Sequence, residues 1–252
     1  MLHQPTVDKL HNMRLSGMVT AWEAIQADAD ARQMSFEEKL ALMVDRQYTQ
    51  RQNEALTRRL RYAKLKGNAA VENIDYRAAR GLDKGAVRAL TQDSAWVGRH
   101  ENIFITGPTG VGKSYIACAL AQKACRDGHL VLYTRAPALF RDLSLGRADG
   151  SLRHVLARLA RVDVLIVDDW AMAPMTENER RDFWEIAEER YQSSSTILTS
   201  QVPVSQWHQQ IGDPTVAADG ILDRLVHNAH RFELKGESLR RANTKKEDKA
   251  ER

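Results

Sequence analysis

The residues Gly107-Pro108-Thr109-Gly110-Val111-Gly112-Lys113-Ser114 match the phosphate-loop pattern G-x-x-x-x-G-K-[ST] at every fixed position. In such a loop the glycines allow backbone N–H groups to face phosphate oxygens, and the lysine brings a positive charge to the β- and γ-phosphates. The serine hydroxyl is a magnesium ligand. We therefore predict that residues 107–114 and the adjacent Tyr115 bind a nucleoside triphosphate with Mg²⁺, and that Lys113 also takes part in catalysis.

The segments on either side of the loop predict a strand before it and a helix after it. Asn102–Thr106 is typical of a short buried strand, and residues 115–125 are typical of a helix whose N-terminus faces the bound anion. Strand and helix patterns continue to alternate toward the end of the chain. This order predicts an α/β fold with a central parallel sheet flanked by helices.

Length and composition fit a protein with one main domain and a smaller one. The chain has 252 residues, of which 43% are hydrophobic and 28% charged, and its formal net charge is +4. Its two cysteines, Cys118 and Cys125, lie seven residues apart on one predicted helix, which favours core packing over a disulfide or a metal site. We find no apolar run of membrane-spanning length and no signal-peptide pattern, so we expect a cytoplasmic protein without a membrane partner.

The N-terminal part predicts a small all-helical region. Apolar residues recur at helical spacing, and hardly any glycine or proline interrupts residues 6–66. Ser35 followed by Glu38 is the pattern of a capping box at a helix start. We expect the helix that begins there to bury Leu40, Met43 and Val44.

Basic residues concentrate in two places, which makes double-stranded DNA a candidate partner. A one-sided run of charge is most often a solvated helix face, but it can also lie along a phosphate backbone. The first cluster comes before the helix end that Gly67 and Asn68 predict, and the second stands on or near the exposed side of a later amphipathic helix. The residues that we predict to contact DNA are Arg51, Arg58, Arg59, Arg61, Lys64, Arg147 and Arg153.

Residues 162–169 form a continuous apolar run that ends in two carboxylates, and the run resembles a Walker B element. A central parallel strand of this kind delivers its last residues to the ligand crevice. We expect Asp168 to hold Mg²⁺ through water. We expect Asp169 to orient or deprotonate the attacking water.

Several motifs together resemble the IstB-like, DnaC-related AAA+ ATPases, which help the transposition of bacterial insertion sequences. The phosphate loop alone indicates only an NTPase, and the later segments narrow the family. The motifs occur in the order of that family and cover nearly the whole chain. They are residues 107–114, 164–169, 199–203 with Trp207, 212–214, 221–225 and 236–240.

The resemblance implies roles for three more residues. Arg224 matches the arginine finger that this family inserts into the ATP site of a neighbouring subunit, although a surface arginine paired with Asp223 is the simpler alternative. Gln201 matches the sensor at a strand end, and Arg240 matches the second sensor arginine loosely. Asp169 stands where glutamate is more common and is one methylene shorter, so we expect slow hydrolysis.

The resemblance implies an ATP-dependent helper that assembles on target DNA as a ring or spiral, with ATP at subunit interfaces, and that recruits and stimulates a partner transposase. Hydrolysis, stimulated by DNA, would regulate the assembly. Two alternatives remain: a DnaC-type loader of a replicative helicase, and a DNA-bending scaffold in which ATP is only structural. The predicted organisation is a helical domain over residues 1–67, a connector over 68–100, an AAA+ ATPase domain over 101–241 and a charged tail over 242–252.

Overall fold

Five parallel strands form one sheet in the C-terminal part of the chain. They are β1 Asn102–Thr106, β2 Val131–Arg135, β3 Val164–Asp168, β4 Ser195–Ser200 and β5 Ala229–Glu233. Their order across the sheet is β2-β3-β4-β1-β5. Neighbouring strands are parallel throughout, with β1 between β4 and β5. The carboxyl ends of all five strands therefore lie at one edge of the sheet and their amino ends at the other.

The computed structural model describes residues 4–212 and 216–239. Two compact units make up the chain, one ending at Arg58 and one beginning at Arg59. The domain limits predicted at residues 67, 100 and 241 stay predictions. The α-helices are α1 Gln4–Asn12, α2 Ser16–Ala27, α3 Phe36–Ala63, α4 Lys84–Asp93, α5 Ala95–Gly98, α6 Lys113–Arg126, α7 Ala136–Asp149, α8 Leu152–Ala160, α9 Glu177–Arg190, α10 Trp207–Ile211 and α11 Val216–Val226.

The centre of the sheet is buried because its strands are apolar on both faces. Every residue of β1 and β3 is buried, as expected for parallel strands covered by helices on both sides. On one face a cluster of aromatic rings fills the space between sheet and helices. Trp170 packs against Phe183 with ring centroids 4.0 Å apart, and Phe104 packs edge-on against Trp207 at 5.0 Å. Cys118 and Cys125 are free and buried, as predicted.

In the N-terminal unit the capping box at Ser35 is confirmed, but the predicted buried face of α3 is wrong. The Ser35 N–H donates to a carboxylate oxygen of Glu38 at 2.7 Å, and the Glu38 N–H donates to the Ser35 hydroxyl at 3.3 Å. Leu40 and Val44 are 41% and 50% exposed. α3 contacts α2 further along the chain, where the buried Gln47 accepts the Gly17 N–H at 2.9 Å. The contact is polar and close, so an apolar periodicity did not reveal it.

α7 continues past Gly146 to Asp149. Gly146 is needed where this helix meets the next one. A Cβ at this position would lie 3.1 Å from the backbone of Leu152, where α8 begins. The glycine therefore permits close packing of α8 on α7.

Within the described ranges, no helix is both long enough and apolar enough to cross a membrane.

Candidate nucleotide site and its flanking basic surfaces

The phosphate loop follows the carboxyl end of β1 and leads directly into α6. Gly107, Gly110 and Gly112 have φ values of 142°, 86° and 98°, which side-chain-bearing residues rarely adopt. There is also no space for a side chain. A Cβ at Gly107 would overlap the carbonyl oxygen of Leu234, and one at Gly110 would overlap the hydroxyl of Ser238. Backbone N–H groups and the N-terminus of α6 can therefore approach an anion closely.

Lys113, the first residue of α6, lies across the mouth of the loop. Its ammonium donates to the carbonyl oxygens of Gly107 at 2.7 Å and Pro108 at 2.8 Å. The side chain is thus held over the backbone that would surround the phosphates. A triphosphate offers stronger acceptors than these neutral carbonyls, because hydrogen bonds between charged groups are roughly twice as strong.

Asp168, the last residue of β3, is fully buried and accepts hydrogen bonds from three hydroxyl groups. Ser114 donates to one carboxylate oxygen at 2.7 Å, Tyr133 donates to the other at 2.6 Å, and Thr199 donates to the same oxygen as Ser114. Burial raises the pKa of Asp168, but these hydrogen bonds outweigh burial and the net pKa is lowered. Asp168 is therefore an anion, and it lies beside the phosphate-loop serine.

Asp169 follows Asp168 in a left-handed backbone conformation, with a φ of 59°. Its N–H donates to the Thr199 hydroxyl at 3.2 Å, which fixes the backbone at this point. Its carboxylate forms an ion pair with Arg135, whose Nε and Nη2 lie 3.0 and 2.7 Å from the same oxygen. The predicted catalytic carboxylate is thus ion-paired with an arginine of the same chain.

A cavity of about 650 Å³ connects these groups, within the size range of small-ligand sites. It brings together the predicted Thr109, Lys113, Ser114, Tyr115 and Gln201 with Asp169. Asp168 lies behind this cavity wall, hydrogen-bonded to Ser114. The predicted Gly110 and Gly112 also line it. The lining residues that were not predicted as site residues are Lys66, Asn73, Asp75, Arg80, Arg135 and Leu239.

Two predicted residues are placed by contacts that the sequence pattern does not show. Gln201 accepts the Thr109 hydroxyl at 2.7 Å, so the end of β4 is linked to the phosphate loop. The Tyr115 hydroxyl lies 3.5 Å from the carbonyl oxygen of Asn73 in the connector. Both side chains line the cavity.

Arg80 is a site residue that sequence analysis missed. It is 4% exposed and donates to the carbonyl oxygens of Val111 at 3.0 Å and Asp75 at 2.7 Å. It therefore joins the phosphate loop to the connector. Burial lowers the pKa of Arg80, while Asp75, Tyr76 and Tyr115 raise it less strongly. A single arginine in an irregular segment has no spacing pattern that could have identified it.

Tyr133 and Thr199 were also missed, although they hold the carboxylate of Asp168. Burial and the hydrogen bond to Asp168 raise the pKa of Tyr133, so its hydroxyl remains a donor. Both residues belong to strands whose polar ends face the crevice, which is the signal that could have found them. The segment after β5 completes the site, because the Leu239 N–H donates to the carbonyl of Gly110 at 3.0 Å.

Arg224 lies at the opposite edge of the sheet from the phosphate loop. The adjacent Leu225 accepts a hydrogen bond at 3.0 Å from Asn102, the first residue of β1. The phosphate loop begins after the last residue of this strand, which spans about 17 Å at roughly 3.3 Å per residue. Arg224 forms an ion pair with Glu188 rather than with Asp223, and its guanidinium lies 5.0 Å from the Trp184 ring. The arginine is therefore unable to reach the phosphate loop of its own chain.

The residues predicted to contact DNA differ in whether their side chains are bound within the protein. Arg147 forms an ion pair with the buried Asp182, and Arg59 donates to the carbonyl of Cys125 at 2.8 Å, near the end of α6. Both side chains thus have structural contacts. The other predicted residues are exposed; they are Arg51, Arg58, Arg61, Lys64 and Arg153. Arg240, Asp213 and Pro214 lie outside the described residues.

This sheet order, with a phosphate loop after β1 and paired carboxylates after β3, defines a phosphate-loop NTPase domain of the AAA+ type. Comparisons with known proteins agree. The family described as IstB-like ATP binding protein matches residues 8–247. The chain therefore belongs to the IstB-like ATP-binding protein family.

Its relatives come from bacterial insertion sequences. The insertion sequence ATP-binding protein y4pL of Sinorhizobium fredii is 49% identical over 98% of this chain and 100% of its own length. The insertion sequence IS1162 ATP-binding protein of Pseudomonas fluorescens is 43% identical over 81% of this chain and 89% of its own length. Among solved structures, DnaI superposes with a TM-score of 0.57 at 22% identity, covering 67% of this chain and 92% of DnaI. The predicted family and fold class are confirmed.

Proposed function

We propose that this protein hydrolyses ATP slowly while assembled on double-stranded DNA, and that the assembly recruits and stimulates the transposase of the same insertion sequence. The observation that carries the proposal is the arrangement at the end of β3. The buried anion Asp168 lies 2.7 Å from the phosphate-loop Ser114, and the next carboxylate, Asp169, lines the adjoining cavity. One carboxylate is thus placed beside the predicted magnesium ligand and the next beside the predicted phosphate position.

Hydrolysis needs a base close to the γ-phosphate. The oxygen of a water forms a bond to the γ-phosphorus as the bond to the β,γ-bridging oxygen breaks, with that electron pair leaving on ADP. Asp169 accepts the proton of the water. The products are ADP and inorganic phosphate. The short side chain of Asp169 reaches less far than glutamate, which supports a slow reaction.

The residues around Asp168 fit a magnesium ion. Mg²⁺ prefers hard oxygen ligands, and the Ser114 hydroxyl and the Asp168 carboxylate provide them within hydrogen-bonding distance of each other. When bound, the ion would neutralise charge on the β- and γ-phosphates. Tyr133 and Thr199 orient the carboxylate toward this position.

The position of Arg224 supports a shared active site. Because this arginine lies at the amino edge of the sheet, it is available to the nucleotide of a neighbouring subunit and not to its own. A planar, permanently charged guanidinium suits the developing charge of phosphoryl transfer. The role requires its ion pair with Glu188 to open or turn at the subunit interface.

Contact with DNA is supported by exposed basic residues without neighbouring acids. α8 and the residue after it have the sequence Leu-Arg-His-Val-Leu-Ala-Arg-Leu-Ala-Arg, which contains no acidic residue. Arg153, Arg158 and Arg161 are exposed on it, while Leu159 is buried. Such a surface favours phosphate contacts independent of base sequence. We propose a cytoplasmic location for the whole process.

The experiment is ATP-dependent assembly on double-stranded DNA, measured by sedimentation and by electron microscopy with a slowly hydrolysed ATP analogue. We expect Lys113→Ala to abolish this assembly, because the variant loses the charge that binds the phosphates. Lys84→Ala is the control, since Lys84 is an exposed lysine of α4 outside the cavity. Assembly of Lys113→Ala at the wild-type level would contradict the proposal.

The identity of the partner needs its own measurement. We expect the DNA-bound protein to retain the transposase encoded by the same insertion sequence and to release phosphate faster with DNA than without it. Retention of a replicative helicase instead would assign the loader function. An absence of phosphate release in all conditions would assign the scaffold function.

A further inference from the structure

Arg135 occupies a position in the nucleotide site that neither the phosphate-loop nor the Walker B pattern includes. It is the last residue of β2 and is paired in register with Asp168 of β3. Its side chain therefore starts at the carboxyl edge of the sheet, beside the two carboxylates. Its guanidinium donates through Nε and Nη2 to Asp169, at 3.0 and 2.7 Å.

The ion pair between Arg135 and Asp169 is accessible, unlike the hydrogen bonds around Asp168. The Arg135 side chain is 57% exposed and lines the same cavity as Thr109, Lys113 and Gln201. Exposed ion pairs stabilise proteins weakly and exchange readily. Asp168, in contrast, is fully buried and held by three hydroxyl groups. Of the two carboxylates, Asp169 is therefore the one whose partner can be replaced.

A γ-phosphate would compete with Asp169 for this guanidinium. Near neutral pH a terminal phosphate carries between one and two negative charges and three acceptor oxygens, whereas Asp169 carries a single charge. The planar fork of arginine matches phosphate geometry with two parallel hydrogen bonds. We propose that Arg135 binds the γ-phosphate of ATP within its own chain, and that its ion pair with Asp169 is the resting contact that ATP replaces.

This exchange would couple nucleotide identity to the state of the catalytic carboxylate. With ADP, which has no γ-phosphate, Arg135 stays on Asp169. With ATP, Arg135 moves to the phosphate and Asp169 is free to accept a proton from water. The second step rests on the proposed hydrolysis, but the choice between ATP and ADP does not, and it requires neither DNA nor a transposase.

The test measures equilibrium binding of a non-hydrolysable ATP analogue and of ADP, each with Mg²⁺, to the full chain without DNA. We expect Arg135→Gln to weaken binding of the analogue about tenfold or more and to leave ADP binding within about twofold. Arg135→Lys should recover only part of the loss. Arg99→Gln is the matched control, because Arg99 is 59% exposed and pairs with Glu101 at 2.7 Å far from the cavity.

A second arm separates a direct phosphate ligand from a residue that only neutralises Asp169. In the Asp169→Asn background, a direct ligand still gives the selective loss when Arg135→Gln is added. A neutralising residue gives no further change there. Equal losses for both nucleotides, no loss for either, or a loss that disappears in the Asp169→Asn background would each overturn the proposal.

Discussion

The two edges of the sheet carry different kinds of charged site. At the carboxyl edge, glycines, hydroxyl groups and carboxylates from separate segments surround one cavity, and most of their bonds run between segments. At the amino edge, Arg224 is held by a carboxylate and by two aromatic rings, with its guanidinium 5.0 Å from Trp184 and 5.9 Å from Tyr191. The first edge is built to enclose a ligand, whereas the second presents a single cation. In the shared active site proposed above, each edge would supply one half.

The largest expected effect comes from breaking the amino edge. We expect Arg224→Ala to bind ATP normally but to lower DNA-stimulated hydrolysis about 10³-fold, the size reported for arginine fingers. Phosphate release at saturating ATP measures this. A mixture of Arg224→Ala with Asp169→Asn should regain activity, because one interface in the mixed assembly joins an intact Asp169 to an intact Arg224. If mixing restores nothing, the two edges do not form one site.

A second arginine at the amino edge should affect stability rather than catalysis. Arg190 is 3% exposed and donates to the carbonyls of Leu159 at 2.7 Å and Val162 at 2.9 Å, and also to Ser195. Burial lowers its pKa. We expect Arg190→Met to lower the free energy of unfolding by about 3 kcal/mol, because buried carbonyl groups lose their donors.

Urea unfolding of the nucleotide-free chain measures this loss. Arg190→Lys keeps the charge but not the fork and should recover only part of it. Arg224→Ala serves as the control at the same edge, with a smaller change in the unfolding free energy. If Arg224→Ala lowered the free energy of unfolding as much as Arg190→Met, the distinction between a structural Arg190 and a catalytic Arg224 would be lost.

The smallest expected effect concerns the basic surface of α8. We expect Arg153→Gln to weaken DNA binding a few-fold and to reduce the slope of log affinity against log salt by about 0.9. Fluorescence anisotropy over a salt series measures this slope. Arg88→Gln, which removes an exposed arginine of α4, should leave it unchanged. An unchanged slope for Arg153→Gln would mean that the basic face of α8 is solvated and does not contact DNA phosphates.

Sequence analysis was most successful where a function requires consecutive residues. The phosphate loop and the apolar strand ending in Asp168 and Asp169 are local patterns, and their strands are confirmed within one or two residues. Ser114 and Asp168 were predicted to hold the same magnesium ion, and the two side chains are hydrogen-bonded at 2.7 Å. These features depend on chemistry that is written within a few positions.

Contacts between distant segments were not predictable in the same way. Arg80 of the connector and Arg135 of β2 line one cavity, and Tyr133, also of β2, donates to Asp168 beside it. Only the folded chain brings these residues together. The face of α3 was wrong because the burial of Gln47 against Gly17 depends on a hydrogen bond, which hydrophobic spacing does not report. Arg59 and Arg147 were grouped with basic residues by charge, although each has a structural contact.

The contact between Gly110 and Ser238 has a consequence for how this protein can change over evolutionary time. The two positions are far apart in the chain, but the space above Gly110 is filled by the Ser238 hydroxyl. A larger residue at either position requires a smaller or displaced one at the other. Among relatives, substitutions at position 238 should therefore co-vary with those in the loop, and exchange of the C-terminal segment between relatives should succeed only when the phosphate loop is exchanged with it.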